Sequence, residues 1–504
     1  MFNILKMVLI TNIFKHLGFL NDNKPLNLIK IFYIYFLFFP SIMQCYIKIP
    51  IKYYPYKIFN ETNPSNTIHN ILVQRLYATI ELGSPKQVIQ IPIEFETNDF
   101  YISKSETKIN DEKYKMFKLE HFEEKSSNSL EYLDEEDVYY GVNFLLGTRA
   151  KDYFYFGNKK VELEFYLADH LAETLPGELG LQLNVISDLN TAFDTIEKSF
   201  LKILKNKKLT SNYVYSIIYK NKNYINFNND QIDGYLYIGD YLHNIDKKYD
   251  YSRLTSIPAF IFQNIVRTEF LMNKLIIYRN NNPKDIINEI KLNRNYLRVN
   301  LDYNYGGIIG SEIIRPYLEE YLFTKKNNCY KDTFNYKNKF YFYYCENNPS
   351  KIKNIKDNFP TLQFTHQDFN YDFIIKGDEL FIEKDGYIFC LMVFDDYKRY
   401  EWKFGRPFLN KYIFMVDQEA KKVLFYSVED NVKITGIKKA TSVFIIVILM
   451  IIFSFLGFIL ARKIYRIHKK KHSNIIEDDF EYNEEPKNKK GSNIEMTRKL
   501  YSNE

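Results

Sequence analysis

Between Lys439 and Arg462 the chain runs for 22 residues, 440–461, without a charged side chain. A core helix of that length in a globular protein carries a polar face, and ATSVFIIVILMIIFSFLGFILA offers no charged position for one. About 20 apolar residues cross the hydrocarbon core of a bilayer, so this run reads as a single transmembrane helix. It sets a long N-terminal part apart from a tail, 462–504. The tail opens on the basic RKIYRIHKKKH, which the positive-inside rule places in the cytosol. The acidic stretch EDDFEYNEE at 477–485 reads as a solvated run without a core of its own.

A second apolar stretch, Ile31 to Phe39, extends to Met43 behind Lys24 and Lys30 and is interrupted by Pro40. Its length suits a signal peptide within 1–45, cut near Gln44-Cys45, with an uncleaved signal anchor as the alternative. Either way the central part faces a lumen or the exterior, and the protein is expected to be a single-pass membrane protein of the secretory pathway. The sequon Asn60-Glu61-Thr62 fits that compartment. So, modestly, does a content of 4 Cys, of which Cys45 leaves with a cleaved signal.

The chain has 504 residues, 46% hydrophobic and 26% charged, enough for two or three domains' worth of core. A net charge of +6 is too diluted over this length to argue for a nucleic-acid partner.

Residues 75–428 are patterned as strands. Tyr77-Ala78-Thr79-Ile80-Glu81-Leu82 alternates and stops at Gly83-Ser84-Pro85. VIQIPIEF, NKKVELEFYLADH, GYLYIGD (234–240) and FMVD (414–417) read the same way. TAFDTIEKSFLKILKN and EIIRPYLEEYLF show helical spacing. Segments 106–135 and 278–296 are polar and read as loops or insertions. Mostly strands with few helices predicts a mainly β fold.

Six blocks in this stretch resemble, in order, those of the pepsin-like (A1) aspartic peptidases. YATIELGSPKQ is similar to the family's opening strand. Tyr140-Gly141, followed by Gly147, Asp152 and Gly157, has the spacing of its flap hairpin. PGELGLQL resembles the Asp-Gly-Ile-Leu-Gly-Leu block, with Pro176 and Glu178 as departures. GYLYIGD, FPTLQF and the run Lys403 to Asp417 resemble the later blocks. The plasmepsin branch suits the Asn-, Lys-, Ile- and Tyr-rich composition. The resemblance implies a bilobal β fold with a central cleft. A first lobe would span 75–245 and a second 246–430, behind a short leader segment at 46–74. It also implies a flap at Tyr140 and Gly141, and a second-lobe disulfide between Cys345 and Cys390. Cys329 is then left over, free or competing for a partner.

In that family two Asp carboxylates share a proton and activate a water, each in an Asp-Thr/Ser-Gly triplet. Here neither triplet is intact. Counting from Gln87 puts the first acid at Glu94, in Glu94-Phe95-Glu96; a gapped alternative puts it at Glu96. The second is Asp302, in Asp302-Tyr303-Asn304. Glu for Asp moves the carboxyl outward by about 1.5 Å, and misplacement by about 1 Å costs roughly 10²-fold in rate. Phe95 and Tyr303 replace the hydroxyls that lock the two loops together, and Glu96 brings a second charge. Pro92 suggests an edge strand. No His or Asp-x-Asp-x-Asp pattern makes a metal site of Glu94, Glu96, Asp99 and Asp302, and no cofactor is expected.

Two functions fit. One is a membrane-anchored pseudopeptidase that binds a peptide or protein in its cleft. The other is a divergent but active aspartic endopeptidase using Glu94 and Asp302. The shortness of 46–74 leaves little room for an inhibitory propeptide and favours the first.

Overall fold

The computed structural model describes residues 46–427 except 56–62, 105–121, 135–137, 141–144, 171–176, 184–198, 221–231, 263, 280–281, 292–297, 324–327, 337, 348–354, 357–358, 367–368, 370 and 396–400. These residues are mainly β. The expected signal segment, the sequon and the run 440–461 lie outside them, and no described helix is long and apolar enough to cross a membrane.

The strands that matter for the site are β1 (Ile47–Pro55), β2 (Gln74–Leu82), β3 (Gln87–Glu94), β4 (Phe100–Ser103), β5 (Leu145–Phe156), β6 (Lys159–His170), β7 (Gly177–Gly180), β8 (Val214–Tyr219) and β9 (Gly234–Ile238). They are followed by β10 (Arg298–Leu301), β11 (Ile308–Gly310), β12 (Cys329–Tyr336), β13 (Asn338–Glu346), β14 (Tyr387–Cys390), β15 (Met392–Asp395), β16 (Trp402–Phe404), β17 (Phe414–Asp417) and β18 (Lys422–Tyr426). The helices include α1 (Pro64–Leu72), α2 (Phe200–Asn206), α3 (Arg315–Leu322) and α4 (Arg406–Leu409).

One sheet joins distant parts of the chain. Its order runs from Leu254–Pro258 through β18, β17, β8, β9, β1, β2 and β3. β1 is internal, antiparallel to both β2 and β9, with Ile51 opposite Ala78 on one side and Gly234 on the other. Its apolar residues Ile47, Ile49, Ile51 and Tyr53 are buried. The segment read as a short leader thus carries a central strand, and then α1. That helix starts on Asn63, whose side chain accepts from Ser65 N at 2.8 Å, with Pro64 at its first turn. Ile68, Ile71 and Leu72 fall on one face and pack with Tyr305 and Leu391.

β3 is also internal, between β2 and β7, which corrects the edge expected from Pro92. The ladder with β7 begins at Ile93, one residue past the proline, so the missing N–H is not called upon there. Ile89, Ile91 and Ile93 alternate into the core.

The expected Cys345–Cys390 disulfide is replaced by Cys329–Cys345. The two cysteines stand directly opposite each other in the β12–β13 ladder, with Cα atoms 4.0 Å apart. Cys345 faces Ile388, not Cys390, on β14. Cys390 is a buried free thiol, and burial pushes it up to about 12.

Candidate functional site

The same backbone device occurs twice. β3 runs parallel to β7, with Ile93 opposite Leu179 and Glu94 opposite Gly180, and β4 returns antiparallel to β7. β10 runs parallel to β16, with Leu301 opposite Phe404, and β11 returns antiparallel to β16. In each copy the middle strand is threaded between two strands joined by a loop. Gly180 N donates to Asp99 O at 2.8 Å, and Gly405 N donates to Gly307 O at 3.0 Å. Each of those acceptors lies five residues beyond an acid, Glu94 or Asp302. The two acids therefore hold matching positions, and Glu96 matches Asn304. Glycine is required at the end of β7 and just past the end of β16. A Cβ on Gly180 would stand 2.7 Å from Thr97 O, and one on Gly405 2.2 Å from Tyr305 O.

In the first copy Glu94 is held by Arg75 of β2, through Nη2 and, at 3.1 Å, through Nε. Both side chains are largely buried, at 14% and 22% exposure. Burial disfavours the Arg75 charge, but the Glu94 carboxylate outweighs that and its proton affinity rises. Glu178, on β7, is almost fully buried and accepts a hydrogen bond from the Thr97 hydroxyl. Burial pushes its carboxyl up to about 7; Glu94 and Asp99 add to the rise, and Thr97 and Arg75 oppose it. Glu96 points the other way: it is 61% exposed and lies 3.8 Å from Arg267. The buried Gln182 fastens this loop to a neighbouring hairpin. Its amide donates to Phe95 O and, at 3.1 Å, to Val266 O, and it accepts from Val266 N at 2.9 Å.

In the second copy Asp302 accepts from Asn304 N at 3.0 Å, and Lys403 Nζ of β16 lies 3.7 Å from its other oxygen. The segment from α1 into β2 seats this loop. Gly306 N donates to Leu72 O at 2.8 Å, and Leu76 N donates to Asn304 Oδ1 at 2.9 Å. A Cβ on Gly306 would stand 1.9 Å from Ile71 O. The two loops meet. The rings of Phe95 and Tyr303 stack with centroids 4.9 Å apart and planes at 23°. Tyr303 is fully buried, which holds its phenol well above the usual range. Behind the stack, the Tyr53 hydroxyl of β1 donates to Tyr303 O at 2.8 Å and lies 2.7 Å from the Tyr219 hydroxyl. Arg406 sits over the Tyr53 ring and pairs with Asp233 at 3.0 Å, which also accepts from Tyr53 N.

Residues 75–244 match the eukaryotic aspartyl protease family. No curated protein matches the chain. The family match takes in β2 to β9 and with them Glu94; Asp302 lies beyond it. Phe95 and Tyr303 hold matching positions in the two copies, and the stacking of their rings ties the loops together. Where the resemblance implies a flap, the strand Val138–Tyr140 pairs with the start of β5, Tyr140 opposite Leu145. Gly141 lies outside the described residues, and of the Tyr140 side chain nothing is described.

The structure brings Glu94 and Asp302 to adjoining loops and turns Glu96 outward. Sequence reasoning missed Arg75, Lys403 and the burial of Glu178. Glu178 alone left a mark in the sequence, as a charged residue inside an apolar block.

Proposed function

We propose that the protein is a pseudopeptidase: a two-lobed, pepsin-like receptor that binds a peptide or protein segment in the cleft between its acid loops without cleaving it. The observation that carries this reading is the Arg75–Glu94 ion pair. Aspartic catalysis needs two carboxyls sharing one proton. A largely buried guanidinium, which stays charged, donates two hydrogen bonds to Glu94 Oε1 and so competes there with a shared proton and a catalytic water. The position of β1 adds weight. It is held on both edges and supports Tyr303 O through Tyr53, so removing 46–55 as a propeptide would dismantle the second acid loop.

The protein is a secretory-pathway, single-pass protein anchored by 440–461, with its ectodomain in the lumen or outside the cell. The apolar run and the basic flank support this, and the Cys329–Cys345 disulfide suits an oxidising compartment. Purified full-length protein, incubated with a degenerate peptide library across acid to neutral pH, tests the reading. The expected result is retention of peptides without cleavage. Cleavage at acid pH that is abolished by Asp302→Ala would overturn it in favour of an active endopeptidase using Glu94 and Asp302.

A further inference from the structure

Glu178 is seated where a strand and an acid loop close on each other. It lies opposite Tyr101 in the β4–β7 ladder, flanked by two glycines that leave no slack. A Cβ on Gly177 would stand 2.5 Å from Tyr101 O, and one on Gly180 2.7 Å from both Asp99 N and Thr97 O. The groups that face or surround its carboxyl are Arg75 from β2, with Tyr77 beside that guanidinium, Glu94 from β3, Asp99 from the loop and Tyr101 from β4. β7 itself contributes no other charge.

One guanidinium therefore stands among three carboxyl groups. Glu94 takes its hydrogen bonds, and Glu178 is held by the Thr97 hydroxyl. With all three acids ionised the cluster carries a net charge of −2; one proton brings it to −1. Inside a protein that difference is felt strongly, because burial weakens screening.

We infer that Glu178 is a proton-operated clasp on the first acid loop: protonated, it closes residues 95–99 onto β7, and ionised, it loosens them through repulsion from Glu94 and Asp99. Because Phe95 stacks on Tyr303, loosening reaches the second acid loop as well. The regulated event is ligand binding in the cleft, so this inference rests on the peptide-binding reading above. Burial and the neighbouring carboxylates move the Glu178 proton up to about 7, so the clasp opens near neutrality, between an acidic compartment and a neutral one.

The test is hydrogen exchange of the full-length protein in detergent between about pH 5.5 and about pH 8.5, corrected for the intrinsic pH dependence of exchange. Peptides covering 95–101 and 177–183 should lose protection about fivefold across that range while the β8–β9 ladder does not. Glu178→Gln should stay protected throughout. If that variant fails to fold, Thr97→Val serves. It removes a hydrogen bond that favours the ionised form, so the step should move to higher pH. A flat wild-type profile, or a step that persists in Glu178→Gln, overturns the clasp. Binding of a statine-containing peptide, measured in parallel, separates the two proposals. A protection step with no peptide bound at any pH would leave the clasp standing and remove the peptide-binding reading. Peptide bound equally at every pH, with no step, would do the reverse.

Discussion

The two acid loops share one backbone device and differ in how their acids are held. Glu94 is enclosed by charge: Arg75 grips it, Glu178 and Asp99 crowd it, and only Glu96 escapes to solvent. Asp302 is enclosed by backbone: Asn304 N caps it, Gly306 and Gly307 allow the chain to approach α1 and β14–β15, and its lysine stands off at 3.7 Å. The second loop holds an aspartate capped by backbone, with Gly306 and Gly307 where the chain comes closest to its neighbours. The first holds a longer acid in an ion pair. One backbone device can hold two acids in different ways, because the ladders that build the loops do not depend on what the acids do.

The sharpest way to break the comparison is to remove the cation from each side. Arg75→Leu leaves Glu94 largely buried and unpaired, and breaking such a pair costs about 3–5 kcal/mol. The chain has 1 Trp, and Trp402 lies buried on β16, so denaturant unfolding followed by its fluorescence reports the loss. Arg75→Leu combined with Glu94→Leu should recover most of it. A single variant as stable as wild type would show that the ion pair is not what holds the first loop.

The sequence made the frame legible because strand alternation and the glycine positions are local signals. β2, β3, β6, β9 and β17 follow the alternating runs, and the matching of Glu94 with Asp302 follows from counting within one strand and loop. What was not legible depends on chain segments far apart. Arg75 is 19 residues from Glu94, and nothing in QRLYATIEL says which face meets β3. The disulfide expectation fails on strand register. Family placement suggested Cys390, whereas the ladder register, which sequence does not print, sets Cys329 opposite Cys345. In sequence, Phe95 and Tyr303 show only two missing hydroxyls, because ring contact between two loops cannot be seen one loop at a time.

A second contrast lies in pH. The Glu178 carboxyl takes up its proton at about 7 when folded, against 4.5 for the same group free. Between those values the folded protein holds a proton that the unfolded chain has released, so stability is greatest below the window and declines as pH rises through it. The full decline is about 3 kcal/mol. Unfolding midpoints of wild type and Glu178→Gln at several pH values should converge at the acid end and separate toward neutrality, with the variant the more stable. Parallel curves would remove Glu178 from the account.

The stack is the feature that the two loops hold in common, and its contribution is smaller. A double-mutant cycle of Phe95→Leu and Tyr303→Leu should give a coupling of about 1 kcal/mol, the usual range for an offset aromatic pair beyond its burial. Additive single effects would mean that the rings touch without tying the loops.

The smallest effect is expected at Lys403, and it is the one that most directly tests whether the acids differ as described. Lys403 is 40% exposed and its ammonium stands 3.7 Å from Asp302, beyond hydrogen-bond distance, whereas Arg75 is 14% exposed and in direct contact with Glu94. Water and salt screen the first pair and scarcely reach the second. Exposed ion pairs contribute between about 0 and 1 kcal/mol, so Lys403→Gln should cost less than about 0.5 kcal/mol, and raising the salt concentration should erase even that. The cost of Arg75→Leu should survive the same salt. Were Lys403→Gln to cost as much as Arg75→Leu, Asp302 would be a charge-held acid like Glu94. The backbone capping by Asn304 N would then not be enough to hold it, and the contrast between the two loops would fail at its weaker end.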